Sequence, residues 1–249
     1  GMFVYIIFNI FWGINYNRKG IADQLQLKNE KYSSEDLKNI NRLLVEKVNG
    51  CKQLLVNERM KYPSNSQLFS KVNTAYEDAA IVYPFLKYQP ISLKPSIWSW
   101  VGNYMGFTGY YNPFTGEAQV NTLVPKFLQP FTSCHEVAHQ LGYAKEMEAN
   151  FVAYMAATAS TDTLLHYSVY LDLFMYSNRN LFMTDSVAAK NYREQLIPDV
   201  KTYLREVKEF KKKYIQTYIS FHGNQYFFQN FFTIACINCN IHFHYLRQI

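Results

Sequence analysis

The sequence predicts an α+β chain, mostly helical, in which a small and mainly antiparallel sheet packs on one central helix. Three observations carry this. Apolar residues recur at helical spacing in two segments before residue 83 and again through most of the stretch from Phe131 to Tyr214. Between Ser92 and Val124, Trp98, Trp100, Tyr104, Phe107, Tyr110 and Tyr111 instead mix with small and polar residues, and Gly102, Gly106, Gly109, Pro113 and Gly116 punctuate the run. Finally, 249 residues with 49% hydrophobic and 18% charged content suffice for one sizeable core.

Taken in order, residues 1–18 form an apolar N-terminal segment. Met2 to Ile14 is apolar apart from Asn9, but shorter than the ~20 residues a membrane span needs. It reads either as the truncated end of a span or as a buried first element. Gly1 cannot be an initiator, so the native chain is expected to begin further upstream. Residues 19–215 form the main domain. Ser33 or Ser34 offers an N-cap before Glu35 and Asp36, and Leu37, Ile40, Leu43, Leu44 and Val48 follow on one helical stripe. A second helix is expected from about Ser66 to Val82, with Leu68, Val72, Ala75 and Ala79 on its stripe and Pro84 closing it. Within the glycine-punctuated region, Asn-Pro and Thr-Gly between Gly109 and Asn121 predict a hairpin with a loop longer than two residues. Further helices are predicted over Thr132–Leu141, Glu146 to about Ala159, Thr163–Tyr176 and Ser186 to about Tyr214. The aromatic tail, residues 216–249, has no clean period and stays unassigned.

Charge and cysteine content narrow the function classes. The net charge of +6 is spread out except for Lys211, Lys212 and Lys213, and no basic stripe interleaves with stacking aromatics, which argues against nucleic acid as a partner. Weak attraction to anionic lipid is compatible with the same charge. Four cysteines at uneven spacing do not form the framework of a disulfide-stapled domain. Cys236, Cys239, His242 and His244 crowd into nine residues, too close for a finger whose ligand pairs stand ~12 residues apart.

The segment Ser133 to Tyr154, SCHEVAHQLGYAKEMEANFVAY, contains His135, Glu136 and His139 in the spacing HExxH. Composition alone produces such a match roughly 0.01 times per chain. Residues four apart lie one above the other on a helix, so two imidazoles can hold one ion from a single rigid element. Glu136 then points about 100° around, beside the metal, where it can take a proton from a water that attacks a carbonyl. Cys134, Val137, Ala138 and Leu141 form the apolar stripe, and the histidines face away from it. Zinc is the expected cofactor, and its catalytic sites take a third protein ligand and keep a fourth position open. Gly142 can end the helix in a left-handed turn and return the chain to the metal. Glu146 and Glu148 are the candidates. Glu146 shares a face with Asn150, Ala153 and Ala157, small enough for close helix approach, so Glu146 is assigned as third ligand and Asn150 as a partner to its carboxylate. The alternative makes Glu148 the ligand and Glu146 a solvated helix start.

At these residues the sequence resembles the gluzincin group of zinc peptidases, and EMEANFVAY resembles the ligand helix of CAAX-prenyl-protease-like and ImmA/IrrE-like peptidases. More closely, NYMGFTGYYNPFTGEAQVN followed by PFTSCHEVAHQLGYAKEMEANFVAY resembles an uncharacterised bacterial family of membrane-anchored HExxH proteins, a domain of unknown function. That resemblance spans about Phe11 to Tyr170. It implies a zincin-like fold with the active-site helix against the sheet, an N-terminal membrane anchor and residence at the bacterial inner membrane, with the side of the catalytic domain open. Asn150 departs from the aspartate of the related ligand helices.

By the same likeness, the hairpin Phe107–Thr122 would offer an edge strand to an extended peptide or protein substrate. Tyr110, Tyr111, Tyr143 and His166 are candidate oxyanion donors. The expected reaction is zinc-dependent peptide-bond hydrolysis with Glu136 as general base. A non-catalytic zinc-binding membrane-associated sensor or interaction module is the rival, and hydrolysis of a non-peptide amide a third reading.

Overall fold

The computed structural model describes residues 6, 9–10, 12–27 and 32–222, with side chains to residue 214. Within them, a 3-10 turn, Gly13–Asn17, and the short helix α1, Ile21–Leu25, lead into two long helices, α2 (Ser34–Asn57) and α3 (Asn65–Val82). Both long helices begin with a capping box: the Ser33 hydroxyl accepts from the Asp36 amide, and the Ser64 hydroxyl accepts from the Gln67 amide. Each such cap contributes about 1 kcal/mol by satisfying donors that the first turn leaves open.

The chain then forms β1 (Leu93–Pro95), α4 (Ser99–Met105), β2 (Gly109–Asn112) and β3 (Glu117–Val120). The strand order is β1-β3-β2, with β2 antiparallel to β3 and β1 parallel to β3. The sheet is therefore mixed and not mainly antiparallel. The reason lies in the connection: the stretch from β1 to β3 contains α4, β2 and the hairpin turn, which is long enough for a parallel return. The hairpin itself has the expected long loop, since Asn112 pairs with Glu117 and the turn is completed by Gly116 at φ +70°.

From residue 129 onward the described chain is almost wholly helical: α5 (Gln129–Gln140), α6 (Glu146–Ala159), α7 (Thr163–Thr184), α8 (Ser186–Glu194) and α9 (Pro198–His222). Helix α7 continues two turns beyond the expected Tyr176 because Ser177, Asn178 and Leu181 remain buried. There Asn41 of α2 donates to Ser177 Oγ at 2.6 Å and Asn178 donates to Asn41 Oδ1 at 3.2 Å, so these amides are tied together inside the α2–α7 contact. The single helix expected from Ser186 to about Tyr214 is broken before Pro198, which occupies the first position of α9, where a missing N–H costs nothing.

Helix α5 is the centre of the core. Cys134, Val137 and Ala138 are fully buried, and the helix is enclosed by α3, α6, α7 and the sheet. Three polar contacts lock its axis. The Tyr76 hydroxyl donates to the Cys134 carbonyl at 2.6 Å, Ser168 Oγ accepts from the Phe131 amide, and Gln140 Nε2 donates to the Gly116 carbonyl at 2.5 Å. The last of these pins the hairpin turn to the end of the helix. Because Gln140 also accepts from the Ser92 amide, one side chain ties two parts of the sheet to α5.

Near the N-terminus, Trp12 is buried against Tyr111, and Arg18 Nη1 donates to the Leu141 carbonyl at 2.7 Å. No helix among the described residues is long and apolar enough to cross a membrane. The tail beyond His222, with Cys236, Cys239, His242 and His244, lies outside the described residues.

Candidate metal centre

Helix α5 turns its polar face to a cleft of about 640 Å³. His135 and His139 stand one turn apart on that face, their rings edge to face with centroids 4.6 Å apart. Helix α5 is capped by Leu141, and Gly142 takes φ +94°, a left-handed conformation that a side chain would strain. The chain reverses there and delivers Glu146 at the first position of α6. Glu146 Oε2 lies 3.1 Å from His135 Nε2, and Oε1 lies 3.5 Å from His139 Nε2. Among the described residues, these three side chains form the one group of His, Cys, Asp or Glu whose ligand atoms converge, all within 4.8 Å of one another.

The imidazoles are oriented from behind. His139 Nδ1 lies 2.7 Å from the Tyr143 carbonyl oxygen. A carbonyl only accepts, so Nδ1 carries the proton, and Nε2 is the nitrogen that faces Glu146. Tyr143 thus serves through its backbone. Its hydroxyl is turned away to Gln24 Oε1 at 2.7 Å, which removes it from the oxyanion donors proposed from sequence. His166 is likewise taken up by the Ser160 carbonyl, and the ring does not line the cleft. Tyr110 and Tyr111 do line it, although the Tyr110 hydroxyl donates to Gln119 Oε1.

Glu136 is buried beside the two histidines, with Oε2 lacking a hydrogen-bond partner among the described residues. Burial raises its pKa, against the opposing pull of His135 and His139. Its carboxylate rests on Gly109, the first residue of β2, where an added side-chain carbon would fall on Glu136 Oε1. This close approach puts an edge strand along the cleft, because among the described residues β2 pairs only with β3, on its other side.

Charge coupling within the group is strong. Burial disfavours a charged His135, but Glu146 at hydrogen-bond distance, together with the charge on Glu136, outweighs it and raises the pKa to about 9. For Glu146, burial is overcome by the two imidazoles, and the carboxyl is held well below the usual range. Asn150, expected as a partner to the Glu146 carboxylate, stands in the cleft wall, and its side chain favours the charged form of His135. Glu148 is buried on another side of α6, 3.4 Å from Lys145 and against Gly20. It takes no part in the group.

Several cleft residues were not singled out from sequence. Asp172 of α7 lines the cleft, and burial raises its pKa to about 6 despite His135 and Lys211 nearby. The available signal was a lone carboxylate inside the apolar run YLDLFMY. Trp12 packs at a tilt on Tyr111 with centroids 4.6 Å apart and lies edge to face with the His139 ring at 5.9 Å. Nothing local in the sequence announces that contact.

Fold and site together define a mostly helical α+β protein with a small mixed sheet and a cleft in which two imidazoles and a carboxylate converge beside a buried glutamate. The chain belongs to the family described as Protein of unknown function (DUF3810), whose sequence model matches residues 1–232. That match runs through the N-terminal segment and into the tail. No curated protein and no solved structure matches the chain.

Proposed function

We propose that this protein is a zinc-dependent hydrolase of peptide bonds, with His135, His139 and Glu146 as metal ligands and Glu136 as general base. One observation carries the reading: three donors of the types zinc prefers meet within 4.8 Å on the wall of a cleft, next to a buried carboxylate that is not part of the ligand group. The donor set fits the ion. Two imidazole nitrogens and one carboxylate make three of four tetrahedral positions, and the fixed His139 tautomer supplies a lone pair. Bound zinc would polarise the substrate carbonyl and lower the pKa of water toward ~7.

The chain's own groups account for the rest of the reaction. Glu136 Oε2, buried and without a hydrogen-bond partner among the described residues, can accept the proton of the attacking water and return it to the leaving amine. Its raised pKa favours that return. The free edge of β2 can pair with an extended peptide and hold the scissile bond across the cleft. Gly109 permits this by letting backbone and carboxylate meet without an intervening side chain. A non-catalytic zinc module has no use for the unpartnered Glu136, so that carboxylate favours the enzyme.

The test is digestion of a peptide library by zinc-loaded wild type and Glu136→Gln. Cleavage by the wild type, reduced at least about 100-fold in the variant at equal zinc content, supports the assignment. Equal cleavage by both would remove Glu136 from the reaction, and none by either favours the non-catalytic reading.

A further inference from the structure

Beside the cleft, at the end of the sheet where β1 stops, the surface is unusually apolar. Ile97 is 84% exposed, Trp98 56%, Trp100 64% and Met105 48%. Helix α4 buries Ser99, Gly102 and Asn103 and so presents its large side chains outward, the reverse of an ordinary amphipathic helix. Scattered apolar residues on a surface are normal, but contiguous ones of this size mark an interaction site.

The stretch of chain that carries this face is free of acidic residues. Between Asp78 and Glu117 there is no Asp or Glu, whereas Lys94, three residues before Ile97, is exposed. On the other flank Trp100 packs on Tyr104, and Tyr104 on Tyr214 of α9, each with centroids 5.1 Å apart; Lys213 lies over the Tyr214 ring at 5.3 Å. Lys211 and Lys212 precede it on the exposed side of α9. Protein interfaces are enriched in aromatic residues but depleted in lysine. Indole rings flanked by lysines match a different surface, the headgroup layer of an anionic bilayer, where amphipathic rings settle and each nearby lysine adds attraction.

We propose that this face docks on an anionic lipid bilayer, with Ile97, Trp98, Trp100 and Met105 entering the headgroup layer and Lys94, Lys212 and Lys213 facing its phosphates. Gly106 and Phe107, directly after α4, line the cleft, as does Lys211. Docking therefore places the cleft mouth at the lipid surface, where the accessible chain would be the juxtamembrane part of a membrane protein. The docking itself stands whether or not the cleft hydrolyses peptides.

The chain has three tryptophans, so in the full chain Trp12→Phe leaves Trp98 and Trp100 as the reporters. With vesicles of phosphatidylcholine and phosphatidylserine, their emission should shift to the blue and be quenched by lipids labelled near the headgroup. Trp98→Ser with Trp100→Ser, and separately Lys94→Glu with Lys212→Glu, should each lower the vesicle partition coefficient about tenfold. These positions are exposed, so melting without lipid should match the wild type. Vesicle-bound protein whose indoles stay unquenched would overturn the proposal, because anchoring would then lie elsewhere. So would loss of a dimer in the Trp variant without change in lipid binding, which would make the occupant a second copy. A large drop in melting temperature without lipid would assign the face to the chain's own residues 223–249, and equally overturn it.

Discussion

His139 is held by Tyr143: its Nδ1–H donates to the Tyr143 carbonyl at 2.7 Å, four residues on and just past the reversal at Gly142. The hydrogen bond that selects the tautomer thus depends on a left-handed glycine. Gly142→Ala would strain a residue at φ +94° and bring a methyl group against Arg18 Nη1. The expected result is a zinc affinity lowered about tenfold, read by competition with a chromophoric chelator, with helix content unchanged. Unaltered affinity would separate the tautomer from metal binding.

Zinc uptake should release protons. Below about pH 9 the metal-free protein keeps His135 protonated against Glu146, and a ligand must give that proton up. Affinity should therefore rise with pH up to about 9 and flatten above it. Titration calorimetry near neutral pH in buffers of different ionisation enthalpy should report close to one proton released per zinc.

The same pair makes a prediction for the metal-free fold. The raised pKa of His135 contributes stability that is complete below its ordinary 6.5 and is lost as pH rises through about 9. The lowered pKa of Glu146 contributes stability above its ordinary 4.5 that is lost on acidification. Metal-free wild type should thus melt highest between those limits, and Glu146→Gln should flatten the profile. An unchanged profile in the variant would mean that the pair does not bear on folding.

Gly109→Ala tests the contact between β2 and the base. Its methyl would collide with the Glu136 carboxylate while leaving the ligands untouched. Turnover of any peptide substrate should fall about 100-fold at constant zinc content, because a displacement of ~1 Å suffices for such a loss. Parallel loss of zinc would show that the glycine supports the ligands instead.

What the sequence made legible follows from the range of the forces involved. The pairing of His135 and His139, the reversal at Gly142 and the facing of Glu146 away from Glu148 are consequences of helical period and one glycine, and all are readable within a dozen residues. The hairpin was legible for the same reason, through its turn residues. β1 was not, since three residues ending in Pro95 carry no alternation, and its parallel partner lies beyond an intervening helix and strand. Pro198 is a local signal for the break before α9, but apolar periodicity on both sides masks a residue that starts a helix better than it continues one. Trp12 and Asp172 reach the cleft, and Arg18 reaches the end of α5, through contacts distant in sequence, for which no local pattern exists.

The most direct measurement is zinc stoichiometry, by elemental analysis after dialysis, in wild type, His139→Ala, Glu146→Ala and Glu148→Ala. One zinc per chain in wild type and in Glu148→Ala, with His139→Ala and Glu146→Ala empty, is the predicted result. Equal zinc in all four proteins, or loss only in Glu148→Ala, would contradict a centre built from His135, His139 and Glu146.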